Sequence, residues 1–344
     1  LHSVWDAASA DDTGSLWGSL SDEMPLLAEA SPREFLDAVE ADLDQKNPLL
    51  VTLFQDEDSD TLFGASSPHT GLLWALETLC WSPEHFRRAA EALARLASLD
   101  PGGKLSNRPA QSFVNVLRGW VRQSGATTAE KLDLLAALTE SMPDTVWPLL
   151  VDLLPESHGF STPPHGPTYR DWASETTSVL MSDWAHFAKG VLKLAIGLAP
   201  SDPSKWAQLV DRYEQLPPHD RSELLQAIKD DAALSAWSSD GSHVLWQTLD
   251  EKIRRHEEFS ETDWAMSPDD LAKLMSLAEV IASDSDPRRH IGLFEWRMHY
   301  RRMKYGDEGF EEALGQAQVA ALTEVVSQGI DALRLLTLAV KNTQ

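Results

Sequence analysis

The spacing of apolar residues constrains the fold most, because these residues recur every three or four positions along nearly the whole chain. Runs that alternate apolar and polar residues are short and rare. The first pattern is typical of helices with one buried face, and the second of half-buried strands. The sequence therefore predicts an all-α fold, built as an irregular α-solenoid of HEAT- or TPR-like helical repeats or as a multi-helix array.

Three Ser-Pro motifs, at Ser31, Ser82 and Ser267, predict helix starts. In each phrase the hydroxyl can accept a hydrogen bond from a free amide, the proline needs no donor, and the following acids meet the positive end of the helix dipole. Thr127 and Glu130 predict a capping box. The apolar spacing predicts helices over residues 83–99, 111–123, 128–141, 145–154, 172–199, 203–215, 219–237, 242–259, 267–283, 286–304 and 308–341, the last broken near Gln328 and Gly329.

One segment interrupts the helical pattern. Residues 156–167 carry three prolines and two glycines, which cannot form a continuous helix. We therefore predict an N-terminal helical lobe over residues 1–155, a Pro/Gly-rich loop over 156–168 and a C-terminal helical lobe over 169–344. The first lobe has an acidic beginning, since residues 1–60 hold fifteen acids against Arg33 and Lys46.

The charge balance limits the classes of partner. The 344 residues include 54 acids and 29 basic residues, for a net charge of −25. Such a chain repels phosphates, so we do not expect nucleic acid as a partner. No apolar run is long enough to predict a membrane span. Cys80 is the only cysteine and cannot form an internal disulfide, so we expect a cytoplasmic location. A start without methionine is typical of a segment of a longer protein.

The search for chemistry yields weak candidates. His158 and His165 lie near Ser157, Ser161 and Thr162, residue types that form nucleophile and base pairs, but a proline-rich connector explains them more simply. Residues 56–60 resemble the opening of a calcium loop but lack its glycine and its closing glutamate. The sequence thus predicts no catalytic residue, no cofactor and no metal site, with an enzyme site near residues 157–170 as the alternative.

Partner binding is predicted at a basic stretch near the C-terminus. On a helix, Arg297, Arg301 and Lys304 would line one face beside an apolar stripe. We expect that face to dock an acidic protein surface or the acidic N-terminal segment. A solvated face with no partner is the simpler interpretation. A contact with an anion or with nucleic acid is a third interpretation. We expect the thirteen tryptophans either to fill the core between helices or to be exposed as anchors for a binding partner. The predicted partner-binding residues are Arg288, Arg289, Trp296, Arg297, Arg301, Arg302 and Lys304.

Several phrases resemble those of a known group of proteins. They are SPHTGLLWALE at 67–77, ARLASLDPGG at 94–103, SNRP at 106–109, the segment 153–163 and YRDW at 169–172. Together, over residues 25–235, the chain resembles the helical-repeat region of bacterial antiviral STAND-type NTPase multidomain proteins. The resemblance implies a non-catalytic recognition or scaffolding segment that contributes to sensing a phage protein. No NTPase motif accompanies it in this sequence.

Overall fold

A computed structural model describes residues 2–54, 68–157, 159–173, 178–282, 286–295, 299–300 and 303–342. Within these ranges the chain is an array of α-helices with short 3-10 helices and one pair of two-residue strands. The predicted all-α fold is therefore confirmed. The chain divides into two compact units, Leu1–Leu198 and Ala199–Gln344.

The first unit is built from ten α-helices and one 3-10 helix in its described part. Helix α3 packs on α5, α5 on α6, α6 on α4 and α7, and α10 on α8 and α9. Most partners are thus close neighbours along the chain, as expected of a helical array. The bounds are α1 His2–Ala10, α2 Ser15–Ser19, α3 Met24–Ala30, α4 Pro32–Leu43, the 3-10 helix Leu49–Phe54, α5 His69–Cys80, α6 Phe86–Leu99, α7 Pro109–Leu117, α8 Thr128–Ser141, α9 Pro143–Leu153 and α10 Met181–Leu198.

The core of the first unit begins with aromatic residues from its N-terminal helices. Trp5 and Trp17 stack with ring centroids 5.6 Å apart, and Phe35 meets the Trp5 ring edge-on at 5.1 Å. All three side chains are buried. Helix α6 adds Phe86 and Leu93, on the face that the apolar spacing predicts. Large rings here bury much apolar area with few rotatable bonds.

The acidic N-terminal segment pairs with arginines of its own unit. Arg88 on α6 reaches Asp37 and Glu40 on α4, with N–O distances of 2.6 and 2.7 Å. Arg95, two turns later on α6, pairs with Asp44 at 2.6 Å. The acids of α4 are therefore partly neutralised by a neighbouring helix.

The second unit holds the remaining helices and its own core. Helix α13 packs on α11 and α14, and α16 packs on α15 and on the last 3-10 helix. Ile291, Val325 and Leu336 form one buried apolar cluster there. The bounds are α11 Pro203–Asp211, a 3-10 helix Tyr213–Gln215, α12 Pro218–Leu234, α13 Ser239–Glu258, α14 Pro268–Ile281, a 3-10 helix Pro287–Leu293, strands β1 His299–Tyr300 and β2 Met303–Lys304, α15 Phe310–Gln328 and α16 Ile330–Asn342.

The predicted helix over 286–304 is wrong. The structure has a short 3-10 helix at Pro287–Leu293 and then an antiparallel pair in which Tyr300 faces Met303. Gly292 and the aromatic residues that follow it favour helix poorly, and aromatic residues are common in strands. The helical stripe of Arg297, Arg301 and Lys304 lies outside the described residues, because Arg297, Arg301 and the side chain of Lys304 are not described.

The Pro/Gly-rich loop lies within the first unit. Described residues from 155 to 180 contain no helix, which confirms the loop but also shortens the helix predicted over 172–199 to Met181–Leu198. The prediction placed the lobe boundary at this loop, whereas the two compact units meet after Leu198. The physical reason is that the loop is hydrogen-bonded to α3 and α5 of the first unit.

The described helices give no membrane span. None of them is both long enough and apolar enough to cross a bilayer.

Candidate functional site

The structure describes two of the predicted partner-binding residues with their side chains, Arg288 and Arg289. Arg288 is buried and donates to Asp286 at 2.7 Å and Asp240 at 2.6 Å. Arg289 donates to Glu324 at 2.7 Å. Both charges therefore meet acids of the same unit. Residues Trp296, Arg297, Arg301 and Arg302 and the side chain of Lys304 lie outside the described residues, so the partner-binding role of the set stays a prediction.

Beside Arg289 lies a small cleft, which Asp286 and Ser242 also line. His243 and Trp246 stack along it with ring centroids 5.9 Å apart. Burial lowers the pKa of His243, and the charge of Arg288 acts in the same direction. Burial alone would raise the pKa of Asp286, but hydrogen bonds from Arg288 hold it below the usual range. The charges of Arg288 and Asp286 compensate each other, which is consistent with a structural role for this ion pair.

The first unit carries a more distinctive feature, the segment 159–173, which we call the strap. Its first anchor is Glu29 on α3, a carboxylate only 2% exposed. Glu29 accepts hydrogen bonds from the backbone amides of Thr168 at 2.8 Å, Tyr169 at 2.6 Å and Arg170. Three amides on one carboxylate fix the backbone of an otherwise irregular segment.

The second anchor joins the strap to α5. Glu77 accepts from the amide of His165 at 2.7 Å and from the Ser112 hydroxyl at 2.6 Å. Burial raises the pKa of Glu77, while these hydrogen bonds act in the opposite direction. The His165 ring lies 2.9 Å from the Thr78 hydroxyl through Nδ1 and stacks on Trp74 with centroids 5.2 Å apart. The strap is thus held by side chain and backbone at the same residue.

The third anchor lies at the start of the strap. Gln123 donates to the carbonyl oxygen of Thr162 at 3.2 Å and accepts from the Ser161 hydroxyl at 2.7 Å. At its far end, Arg170 lies over the Trp172 ring, 5.8 Å from the centroid. Gln123 near its start, Glu77 in the middle and Glu29 near its far end therefore hold the strap.

Beside its anchors the strap exposes large aromatic side chains. Phe160 is 79% exposed and Tyr169 is 81% exposed, and Trp74 beneath His165 is 43% exposed. Other tryptophans behave as predicted core spacers, with Trp147 and Trp206 buried. Exposed aromatic residues on a rigid backbone are the residue type and setting of protein-binding hot spots.

The alternative enzyme site near 157–170 rests on His165, since His158 lies outside the described residues. The contacts of His165 with Thr78, Trp74 and Glu77 orient the residue as an anchor of the strap. Burial lowers the pKa of His165, which favours its neutral form. The predicted acidic loop at 56–60 also lies outside the described residues. An enzymatic role for this segment stays a prediction.

The sequence interpretation missed Glu29 and Glu77 as anchors. Each is an acid inside an apolar helix, in the stretches MPLLAEA and HTGLLWALETLC. An acid on a face that must be buried is itself a signal, because burying a carboxylate is costly unless hydrogen bonds satisfy it. Their partners in the strap, however, lie 88 or more positions away and cannot be read from local spacing.

Comparison with known proteins identifies no relative of this chain. No family model, no curated protein and no solved structure matches the chain.

Proposed function

We propose that this chain is a non-catalytic protein–protein interaction module, and that the strap is part of its binding surface. The observation that carries the proposal is the pair of exposed aromatic side chains: Tyr169 lies on the backbone that the buried Glu29 fixes, and Phe160 lies next to Ser161 and Thr162, which Gln123 holds. A surface that is already ordered loses little conformational entropy on binding. An aromatic anchor contributes on the order of 2 kcal/mol when a partner covers it.

We further propose that the module is a sensor or scaffold segment of a larger bacterial antiphage defence protein and acts in the cytoplasm. This part rests on the resemblance of residues 25–235 to the helical-repeat region of STAND-type NTPases and on the single cysteine. The partner would then be a phage protein or another domain of the same protein.

The experiment uses the full chain as immobilised bait in lysates of phage-infected and uninfected bacteria. The test variant carries Phe160→Ser and Tyr169→Ser. The matched control carries Leu234→Ser, which removes an apolar side chain that is 88% exposed in the second unit. We expect one protein to be captured by the wild type and the control but not by the double variant. Purified, that protein should bind the double variant at least about thirtyfold more weakly.

Two results would contradict the proposal. Equal capture by the double variant and the wild type would place the binding surface elsewhere, with the predicted residues Arg288 and Arg289 next to be tested. Absence of any specific capture, together with turnover in an enzyme screen, would favour the alternative of an enzyme. A protein captured from uninfected cells as well would argue for a scaffold and against a phage sensor.

A further inference from the structure

The far end of the strap displays a positive charge that is open to a partner. Arg170 is exposed, and within the described residues its guanidinium forms no ion pair. Nearby arginines of the first unit are paired, Arg88 with Glu40 and Arg95 with Asp44. In a chain that has 54 acids against 29 basic residues, an exposed cation that meets no acid is available for binding from outside.

The backbone and the side chain of Arg170 are both held in place. The backbone amide donates to the buried carboxylate of Glu29. The guanidinium lies over the Trp172 ring, 5.8 Å from its centroid, and that ring meets His85 edge-on with centroids 6.1 Å apart. A guanidinium that is already ordered loses less conformational entropy on binding than a free one.

Two more arginines act on the same place. Burial lowers the pKa of His85, and the charge of Glu84 acts in the opposite direction. Three arginines add to the lowering, Arg33, Arg88 and Arg170. Their guanidinium groups are therefore close enough to act on one ring. The first two already form ion pairs, which leaves Arg170 as the cation of this group that can pair with an acid from outside the chain.

An apolar contact surface adjoins this charge. Tyr169 precedes Arg170 in the chain and is 81% exposed. Its amide donates to Glu29 at 2.6 Å, so the same carboxylate positions both residues. A guanidinium suits a carboxylate in size and geometry, and tyrosine is a frequent hot-spot residue. A partner that suits both groups therefore carries a carboxylate beside an apolar side chain.

We propose that the far end of the strap binds an acidic peptide segment of a partner protein. One carboxylate of that segment pairs with Arg170, and a neighbouring aromatic or aliphatic side chain covers Tyr169. The inference rests on the proposed function, in which the strap belongs to a protein-binding surface, and adds the chemistry of the partner. The net charge of −25 repels a segment with one or a few acids only weakly, whereas it repels a polyanion strongly.

The test is a selection on the full chain from a yeast-displayed library of short random peptides. The selected peptides are synthesised, and fluorescence anisotropy measures their affinity for the wild type and for Arg170→Gln, Arg170→Lys and Tyr169→Ser. The matched control is Arg334→Gln, which removes an exposed arginine of the second unit. We expect the selected peptides to share an acid beside an apolar residue. They should bind Arg170→Gln at least about tenfold more weakly and the control unchanged, and Arg170→Lys should recover part of the loss.

A change in the peptide tests the contact itself. Replacing its acid by the corresponding amide should weaken binding to the wild type at least about tenfold and should have little effect on binding to Arg170→Gln. This coupling would be absent if Arg170 only stabilised the strap, so equal effects in the two proteins would overturn the inference.

The selection also separates this inference from the proposed function. Selected peptides that lack acids, or that bind the wild type and Arg170→Gln equally, would overturn the inference, and the proposed function would stand if those peptides still required Tyr169. Binding that requires neither residue, or the selection of no peptide, would contradict both.

Discussion

Glu29 shows how one residue can order a long segment. Its carboxylate is buried and accepts from three consecutive strap amides. We expect Glu29→Ala to lower the free energy of unfolding by about 3 kcal/mol, because three strap amides lose their charge-assisted hydrogen bonds. Urea unfolding measures this. Glu23→Ala, which removes an exposed acid just before α3, should change stability by less than about 0.5 kcal/mol. An equal loss in both variants would contradict the anchoring role.

Lys131 gives a pH-dependent prediction. It is 6% exposed, and burial lowers its pKa from 10.5 to about 8. Above pH 8 the folded chain releases this proton while the unfolded chain keeps it until about pH 10.5. Stability therefore gains a contribution that rises with pH over this window. Burial also raises the pKa of the Cys80 thiol, which acts in the opposite direction above about pH 9.

The lysine is isolated by comparing the Cys80→Ala variant with the double variant Cys80→Ala, Lys131→Met, because the Cys80 thiol and Lys131 otherwise influence each other's pKa. We expect the stability of Cys80→Ala relative to the double variant to rise by about 1.4 kcal/mol per pH unit between pH 8 and 10. Denaturant unfolding at several pH values measures this slope. A difference that stays constant with pH would show that Lys131 keeps an ordinary pKa in the folded chain.

At the scale of the element, local sequence signals predicted most helices because the physics that starts and stops a helix is local. The capping box of Thr127 and Glu130 and the Ser267 cap are present as predicted, and α8 has the predicted bounds. Ser31 precedes α4, but its hydroxyl donates to Leu27 instead of capping the helix. Ser82 is not a cap, since α6 begins at Phe86.

The failures have a common cause. The strap is held by Glu29 and Glu77 over separations in sequence that no local pattern reports. Likewise, Arg288 is among the predicted partner-binding residues, but Asp240 and Asp286 pair with it in the fold. The residue types indicated which positions need a partner, whereas the identity of each partner depended on tertiary packing.

Gly329 separates α15 and α16, at the predicted break. Its φ of 112° and ψ of 179° lie in a region that is accessible to glycine and strained for other residues. No atom lies within 4 Å of the position a Cβ would take, so backbone strain is the main cost of a side chain there. We expect Gly329→Ala to lower the free energy of unfolding by about 1–3 kcal/mol.

The matched control for Gly329 is Gly315→Ala, inside α15. That position is also open around its Cβ, but its backbone is helical. Alanine should therefore raise stability there by about 0.5–1 kcal/mol. Thermal unfolding of the two variants measures whether each substitution lowers or raises stability. A gain in stability from Gly329→Ala would show that α15 continues into α16 as one helix.

At the scale of the whole molecule, the charge distribution supports the proposal of a protein partner over nucleic acid. The net charge is −25, and arginines that would attract phosphates are paired within the chain, including Arg88, Arg221 and Arg288. Because these arginines are already paired with acids, they do little to offset the repulsion between the negative chain and phosphates. The exposed aromatic residues of the strap do not depend on this balance, which is consistent with the proposed function.

The division into two units predicts where each substitution acts. Each unit has its own buried core, around Trp5 and Trp17 in the first and around Val325 and Leu336 in the second. Stability is local when a core and the helices that pack on it belong to one unit. We expect Glu29→Ala to speed amide hydrogen exchange in the first unit and Gly329→Ala to speed it in the second. Mass spectrometry of peptides from α5 and α15 measures this. Faster exchange in both units from either substitution would show that the chain unfolds as one cooperative whole.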